Sequence, residues 1–294
     1  MHHPTKIEIR HAYAFALLSQ LAYKDPVTFT NKIKEEAHKR KLDFNFQSVY
    51  FLHTKEAQVY VCHHVNDNIF VIFRGTQTIA QLIHLIDNVD TSDSHSNGSK
   101  LHTGFWEAFN SIWSGCKVKG GRLCHRGYAP IGKFYSLRML LGLNKFRETD
   151  VWFIGHSLGG ALAVIAANDY ANSRVQYEKV GGVFTFGCPN VGNVIFGDTF
   201  NRKFRCHGLE SKAFRYIMYG DYVTAMNIIS DAKCGTKRFI TSTHNILVDK
   251  DTTWQHVWEN VNGDWDSHSI QGYINSLTYA DNNPHKYKHC RCKV

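Results

Sequence analysis

Apolar residues follow two different periods along the chain, and the two alternate. Short runs rich in β-branched and aromatic residues fit strands, while longer segments whose apolar residues recur every three or four positions fit helices. The strand-like runs are Ala57–His64, Ile69–Arg74, Val151–Ile154, Val180–Phe186, Phe214–Tyr219, Arg238–Thr243 and Asn245–Val248. The helix-like segments cover residues 11–24, 31–40, 131–146, 158–171, 193–205 and 269–277. Strands that alternate with helices predict one α/β domain with a mainly parallel central sheet flanked by helices.

The N-terminal part shows clear breaks between these elements. Asp25-Pro26 stops the first apolar helix, because proline cannot continue a helical pattern. The aromatic stretch Phe44–Phe51 suggests an extended connection. Val65–Asn68 is rich in asparagine and aspartate and favours a tight turn, so the strand-like runs on either side of it are expected to form a hairpin.

The run Val151–Ile154 leads through Gly-His-Ser-Leu-Gly (155–159) into a segment rich in glycine and alanine. A continuous apolar run is expected of a strand that is buried on both faces of a parallel sheet. Gly155 and Gly159 carry no Cβ, so the strand and the helix can approach closely while Ser157 lies in a strained turn. A G-x-S-x-G sequence between a strand and a helix is the nucleophile elbow of α/β-hydrolases. We therefore interpret Ser157 as a nucleophile in an α/β-hydrolase fold.

A serine nucleophile needs a histidine that takes its proton and a carboxylate that orients the histidine. In α/β-hydrolases the acid and then the histidine follow the serine in the chain. Asp221 comes directly after Gly220 and a strand-like run, at the end of a strand where open α/β sheets bind ligands, although an ordinary turn aspartate fits the position equally well. Spacing alone does not choose among the downstream histidines, which are His244, His256, His268, His285 and His289.

The composition limits the classes of partner. The 294 residues carry a net charge of +9, and the basic clusters at 32–41 and 286–293 are interpreted as solvated surfaces. No nucleic-acid-binding module is visible, and attraction to an anionic membrane surface fits the charge better. No apolar run approaches the ~20 residues that span a bilayer, and the N-terminus lacks the pattern of a signal peptide. A cytoplasmic protein is therefore favoured.

The eight cysteines are scattered and lack the paired spacing of a zinc site. Cys62 and Cys188 lie in strand-like surroundings and are expected to be buried as small hydrophobic residues. Residues 285–292 hold two histidines and two cysteines, but this segment is short and has no apolar framework, so adventitious metal binding is favoured over a specific site.

Six segments occur in one order along the chain: IFVIFRGT (69–76), LHTGF (101–105), FIGHSLGGALA (153–163), FTFGCPNVGN (184–193), YGDYV (219–223) and DSHSIQGYI (266–274). In this order they resemble the class 3 lipases, α/β-hydrolases that cleave carboxylic esters of glycerolipids. Several motifs in order are far more specific than the elbow alone. The resemblance covers roughly residues 10–280. We predict a single lipase-like domain over residues 1–280. By its composition, the basic segment 281–294, which contains cysteines and histidines, is expected to be a flexible tail.

Carried over position by position, the resemblance makes Ser157 the nucleophile, Asp221 the orienting acid and His268 the general base. His268 matches because the family's histidine precedes a helix with a tyrosine and an aliphatic residue, here Tyr273-Ile274. The alternative for His268 is a solvated histidine beside a helix N-cap, with His244 as the reserve candidate for the base.

The resemblance also supplies donors for the oxyanion that forms when an ester is attacked. One donor is the backbone N–H of Leu158, the residue after the nucleophile. The other is Thr76, whose family counterpart offers both its N–H and its hydroxyl. His156 is a feature of the family's elbow, and its side chain is expected to point away from the serine hydroxyl.

In fungal relatives a lid follows the oxyanion residue. Here the segment 77–86 has apolar residues at Ile79, Leu82, Ile83 and Ile86, which is a helical spacing. An amphipathic lid would cover an apolar acyl groove in water and open at a lipid surface. A helix packed permanently on the core fits the same pattern. The chain also departs from the family's usual residues at Gln81-Leu82, Asn190 and Thr224–Met226.

We predict a serine esterase or lipase that hydrolyses carboxylic esters of acylglycerols or related lipids, with no metal or organic cofactor. The expected partners are a lipid or small ester and, transiently, a lipid interface, with no nucleic acid and no obligate protein partner. The alternatives are a phospholipase A1, a thioesterase-type serine hydrolase and a non-catalytic lipase-like binding module. Among these, the binding module predicts a missing triad residue.

Overall fold

A computed structural model describes residues 4–76, 91–93, 98–114, 136–142, 148–172, 178–204, 211–225, 233–248 and 266–284. The helices are α1 (Lys6–Leu21), α2 (Pro26–Arg40), α3 (Thr103–Trp113), α4 (Leu137–Leu141), α5 (Leu158–Tyr170), α6 (Val194–Lys203) and α7 (Ile270–Asn282). The strands are β1 (Phe46–His53), β2 (Gln58–His64), β3 (Asn68–Phe73), β4 (Thr91–Asp93), β5 (Lys100–His102), β6 (Asp150–His156), β7 (Val180–Phe186), β8 (Ala213–Met218), β9 (Thr236–Ile240) and β10 (Ile246–Val248). Short 3₁₀ turns cover Tyr222–Ala225 and Asp266–His268.

Eight strands form one sheet in the order β1-β2-β3-β6-β7-β8-β9-β10. The pairs from β3 through β6, β7 and β8 to β9 are all parallel. At the two edges β1, β2 and β10 pair antiparallel with their neighbours. The predicted mainly parallel sheet is therefore confirmed, and β2 and β3 form the predicted hairpin. β4 and β5 make a separate antiparallel pair.

Helices cover both faces of the sheet and divide the core into two layers. Because successive side chains of a strand point to opposite faces, Val71 and Phe73 pack in the layer that contains α3 and α5, while Ile72 packs in the layer of α1, α2 and α7. All residues of α5 except Asp169 are buried, which explains its glycine- and alanine-rich sequence. Because α5 begins directly after β6, its first turn lies at the carboxyl ends of the parallel strands.

Several elements differ from their sequence prediction: α3 lies in no predicted helix, and α1 begins at Lys6 instead of residue 11. β1 is a full strand paired with β2, where an extended connection was expected, because it lies at the sheet edge and buries only Tyr50 and Leu52. α2 begins at Pro26, earlier than predicted, and the Asp25 side chain caps it by accepting hydrogen bonds from two backbone N–H groups. Proline is tolerated in the first turn of a helix, so Asp25-Pro26 both stops α1 and starts α2.

α1 and α7 lie side by side on one face of the sheet and are joined by polar contacts along their length. Arg10 forms an ion pair with Asp281, and Gln20 Nε2 donates to Gln271 Oε1 at 2.7 Å. Since α7 continues to Asn282, it extends past the predicted domain limit at residue 280. That limit stays a prediction, and residues 285–294 lie outside the described part. In the ranges that the structure describes, no helix is long and apolar enough to cross a membrane.

Candidate active site

Ser157 occupies a sharp turn between β6 and α5. Its backbone has φ 58° and ψ −131°, a left-handed φ that is costly for a residue with a Cβ. The conformation is held because Ser157 N donates to the carbonyl oxygen of Phe186 in β7 at 2.9 Å. The strained turn therefore places the serine at the carboxyl edge of the sheet.

The glycines on either side of Ser157 permit this turn. A Cβ on Gly155 would lie 2.1 Å from the carbonyl oxygen of Gly159, and a Cβ on Gly159 would lie 2.3 Å from the carbonyl oxygen of Phe73. Any side chain at these positions would push α5 away from β3 and β6. The close approach that the sequence predicted for the elbow is present.

The structure brings Ser157, His268 and Asp221 into one hydrogen-bonded chain. His268 Nε2 lies 2.8 Å from Ser157 Oγ. On the other side of the ring, His268 Nδ1 lies 3.0 Å and 3.1 Å from the two carboxylate oxygens of Asp221. The three side chains come from three elements: the β6–α5 turn, the turn after β8, and the 3₁₀ turn before α7.

Asp221 is fully buried and its carboxylate accepts further hydrogen bonds. Val223 N donates to Oδ1 at 3.1 Å, and the Tyr273 hydroxyl donates to Oδ2 at 2.6 Å. Burial, followed by the neighbouring Asp221 charge, raises the pKa of Tyr273 well above its usual value, so this phenol stays a donor. Charge-assisted bonds of this kind stabilise an ionised carboxylate away from water.

Sequence reasoning named Tyr273 as part of the pattern after His268 but did not assign it this contact. The available signal is its place in α7, where its phenol lies on a buried helix face that is mostly apolar and contains Ile274, Leu277 and Ala280. Buried tyrosine hydroxyls usually have a hydrogen-bond partner. The position of Tyr273 therefore indicates that its hydroxyl has a partner, but not which residue that is.

Gly187 leaves room for the acid and the histidine to meet. It follows β7 with φ +58°, and a Cβ there would lie 2.8 Å from Asp221 Oδ2 and 3.0 Å from both Cε1 and Nδ1 of His268. Even a methyl group would therefore displace the Asp221–His268 pair. Gly220 also has a positive φ, of +79°, and it turns the chain so that Asp221 faces His268.

The two oxyanion candidates lie at the same end of neighbouring strands. Phe73 of β3 pairs with Gly155 of β6, so Thr76 and Leu158 each stand three residues beyond a paired position. Leu158 is the first residue of α5, and the first N–H groups of a helix have no partner inside it. Thr76 is half-buried. Both positions are compatible with donors that face the reacting carbonyl.

His156, the residue before Ser157, is buried. Its Nδ1 lies 2.9 Å from the Tyr23 hydroxyl, and its Nε2 lies 2.8 Å from the backbone carbonyl oxygen of His268. Burial, and then the nearby His268, hold the pKa of His156 well below its usual value. Its ring therefore points away from the serine hydroxyl, as predicted.

The family of the chain follows from comparison with known proteins. The model of the lipase (class 3) family matches residues 70–230, more than half of the chain. The chain belongs to the class 3 lipase family. A Caenorhabditis elegans lipase is 29% identical over 163 residues, which are 54% of this chain and 38% of that protein. A chloroplastic/mitochondrial phospholipase A1 of Oryza sativa subsp. indica is 28% identical over 183 residues, 58% of this chain and 39% of that protein.

The chain thus spans about two fifths of the length of these curated relatives. Among solved structures, lipase II from Rhizopus niveus superposes with a TM-score of 0.65 at 21% identity. The match covers 90% of this chain and 94% of the Rhizopus chain. The likeness confirms the predicted α/β-hydrolase fold.

His244, the reserve candidate for the base, lies away from Ser157, His268 and Asp221. It occupies the exposed turn between β9 and β10 with φ 61°. Its Nδ1 lies 2.9 Å from Ser276 Oγ on α7. The structure therefore brings His268, not His244, to Ser157.

One family departure, Asn190, falls in a buried polar cluster that sequence reasoning missed. Arg215 of β8 is buried, and its Nη2 donates to the Thr224 carbonyl oxygen at 3.0 Å, to Asn190 Oδ1 at 3.4 Å and to the Cys188 carbonyl oxygen at 3.4 Å. Arg215 thus ties the loop after β7 to the turn after Asp221. Cys188 is buried as predicted, and burial raises the pKa of its thiol to about 12. Cys62 is also fully buried.

The proposed lid residues Ile79, Leu82 and Ile83 lie outside the described residues, and so do the histidines and cysteines of segment 285–292. Within the described ranges, no cluster of histidine, cysteine, aspartate or glutamate side chains could hold a metal ion.

Proposed function

We propose that this member of the class 3 lipase family hydrolyses carboxylic esters through an acyl-enzyme at Ser157. The observation that supports this proposal is the continuous hydrogen-bonded chain from Ser157 Oγ through His268 to Asp221. Each residue has the partner that its role in acyl transfer requires.

The first half of the reaction forms the acyl-enzyme. Ser157 Oγ attacks the carbonyl carbon of the ester while His268 Nε2 takes the hydroxyl proton. Asp221 accepts a hydrogen bond from Nδ1 and so keeps Nε2 free to act as the base. When the tetrahedral intermediate collapses, the carbon–oxygen bond to the alcohol breaks and His268 gives its proton to the departing oxygen.

The second half releases the acid. Water enters, His268 Nε2 takes one of its protons, and the water oxygen attacks the acyl carbon. Collapse of the second intermediate returns the proton to Ser157 Oγ and frees the carboxylic acid. In both intermediates the negative oxygen is stabilised by the N–H of Leu158 and by the N–H and hydroxyl of Thr76.

The proposed substrates are the carboxylic esters of acylglycerols or related lipids. The Caenorhabditis relative is a lipase and the rice relative is a phospholipase A1, so glycerolipid esters are the chemistry that the two share. A net charge of +9 favours transient association with anionic lipid surfaces, where such esters are found. Phospholipase A1 activity is the second candidate, because the rice relative matches the larger share of the chain.

The test is hydrolysis across a substrate panel, with Ser157→Ala as the control. The panel contains p-nitrophenyl esters of increasing chain length, emulsified diacylglycerol and phosphatidylcholine vesicles. We expect the parent to cleave esters and Ser157→Ala to lose turnover on every substrate that the parent cleaves. If phosphatidylcholine is the only lipid cleaved, and only its first-position acyl chain is released, the activity is that of a phospholipase A1. A folded parent that binds lipid without turnover, or undiminished turnover in Ser157→Ala, would overturn the proposal.

A further inference from the structure

A second chain of hydrogen bonds runs from Tyr23 through His156 to the main chain of His268. The Tyr23 hydroxyl lies 2.9 Å from His156 Nδ1, and His156 Nε2 lies 2.8 Å from the backbone carbonyl oxygen of His268. Neither Tyr23 nor His156 takes part in the proton transfers between Ser157, His268 and Asp221. His156 contacts the proposed base through its main-chain carbonyl and the face of its ring, and Tyr23 contacts His156.

The direction of these hydrogen bonds follows from their chemistry. A carbonyl oxygen can only accept, so the proton of the neutral His156 ring must lie on Nε2. Nδ1 is then the acceptor, and the Tyr23 hydroxyl is the donor. The low pKa of His156, caused first by burial and then by His268, agrees with a neutral ring. The Tyr23 hydroxyl and the His268 carbonyl therefore favour the same tautomer of His156 and hold its ring between them.

Tyr23 also touches the segment that carries the proposed oxyanion donor Thr76. A Cβ on Gly75 would lie 2.1 Å from the Tyr23 hydroxyl oxygen and 2.7 Å from the His156 carbonyl oxygen. The Arg74 guanidinium lies over the Tyr23 ring, 5.8 Å from its centre. One hydroxyl is therefore packed between the segment before Thr76 and the elbow that carries Ser157.

The rings of His156 and His268 lie 4.8 Å apart and are inclined by 31°. His268 carries a positive charge in the tetrahedral intermediates of the proposed reaction. A neutral His156 adds no opposing charge at this distance, whereas a second imidazolium would repel the first.

We propose that Tyr23 and His156 are positioning residues that fix the main chain of His268 and couple it to the oxyanion segment Arg74–Thr76. This inference rests on the proposed function. The base and the oxyanion donors must both be correctly placed around the ester when it reacts. Contacts of one tyrosine hydroxyl with both parts of the site fix their relative positions.

The matched pair of variants is Tyr23→Phe and Tyr60→Phe. Tyr60 also donates a hydrogen bond from a largely buried phenol, to the Lys24 carbonyl oxygen at 2.8 Å, but it has no contact with His156. We expect Tyr23→Phe to lower kcat by about tenfold to a hundredfold with KM nearly unchanged, since misplaced groups slow the chemical step. Tyr60→Phe should keep the parent kcat while its Tm falls as much as that of Tyr23→Phe. Parent-like kcat in Tyr23→Phe, or equal loss in Tyr60→Phe, would overturn the inference.

Variants at His156 distinguish the effect of its N–H donor from the effect of the bulk of its ring. Gln can present an N–H to the His268 carbonyl, whereas Leu cannot. His156→Gln should therefore retain more kcat than His156→Leu at the same KM. Equal kcat in the two folded variants would show that the donor has no role in positioning.

Nitrogen-15 NMR of the histidine rings gives a measurement that does not depend on turnover. In the parent at neutral pH, the His156 ring should carry its proton on Nε2 while Nδ1 accepts a hydrogen bond, and Tyr23→Phe should shift the Nδ1 resonance to that of an imidazole nitrogen that accepts none. A proton on Nδ1 in the parent would contradict the positioning chain even if ester hydrolysis is present. If the parent shows the expected tautomer but no ester hydrolysis, the proposed function is wrong. Tyr23 and His156 would then have no reaction to assist.

Discussion

Replacement of His268 by alanine is expected to lower kcat for ester hydrolysis by about 10⁴- to 10⁶-fold, whereas His244→Ala keeps nearly full activity. The reason is geometric. His268 Nε2 is 2.8 Å from Ser157 Oγ and its Nδ1 meets Asp221, while His244 is paired with Ser276 in an exposed turn. The measurement is kcat of both variants on one p-nitrophenyl ester, with circular dichroism as the check of folding.

His244→Ala is a demanding control because it removes a hydrogen bond to α7, the helix that follows His268. A small fall in Tm for this variant is compatible with the assignment. Loss of turnover in His244→Ala together with retained turnover in His268→Ala would reverse it.

Asp221→Asn is expected to reduce kcat by about 10⁴-fold at neutral pH with little change in fold. An amide N–H would donate to His268 Nδ1, which places the ring proton on Nε2 and removes the acceptor for the serine proton. Val223 N donates to Oδ1 and the Tyr273 hydroxyl to Oδ2, so the amide oxygen can keep the bond from Val223 N while the amide nitrogen donates to the Tyr273 hydroxyl, and the side chain should keep its place. The measurement is kcat as a function of pH.

Asp266→Asn is the matched control for this effect. Asp266 is exposed and lies in the same 3₁₀ turn as His268, two residues before it. It should leave kcat unchanged. An equal loss of kcat in Asp266→Asn and Asp221→Asn would mean that charge near the turn matters, and not the carboxylate that orients the ring.

The strands of the parallel sheet could be predicted because their sequences leave little alternative. Val151–Ile154 and Val180–Phe186 are apolar on both faces, and that pattern is the direct consequence of burial between two helical layers. β1 was harder, since an edge strand with two buried side chains does not show a clean alternation. Its partner in the sheet, β2, supplies the missing constraint.

The elbow was predictable for a similar local reason. A Cβ on Gly155 or Gly159 would clash with backbone atoms of neighbouring elements, so both positions require glycine. The two glycines lie within two residues of Ser157, and the motif is therefore visible in a short stretch of sequence. The acid and the base lie 64 and 111 residues beyond Ser157, as the differences 221 − 157 and 268 − 157 show. Spacing alone could not choose His268 over His244, and family motifs made that choice.

The contacts behind the triad could not be predicted. Tyr23 meets His156 across 133 residues, and Tyr273 meets Asp221 across 52. A tyrosine near the end of an apolar helix gives no sign of the polar group that its hydroxyl will reach, because that group is set by the packing of α1 and α7 on the sheet. The positioning residues of this site therefore emerge only from the structure.

The central claim is that Ser157 is an activated nucleophile, and covalent labelling measures this directly. A fluorophosphonate probe should form a bond between phosphorus and Ser157 Oγ with loss of fluoride, as His268 takes the hydroxyl proton. Peptide mass spectrometry of the labelled parent is predicted to place the adduct on Ser157, with no adduct in Ser157→Ala and much slower labelling in His268→Ala. No adduct in the folded parent, or unchanged labelling in Ser157→Ala, would contradict the claim.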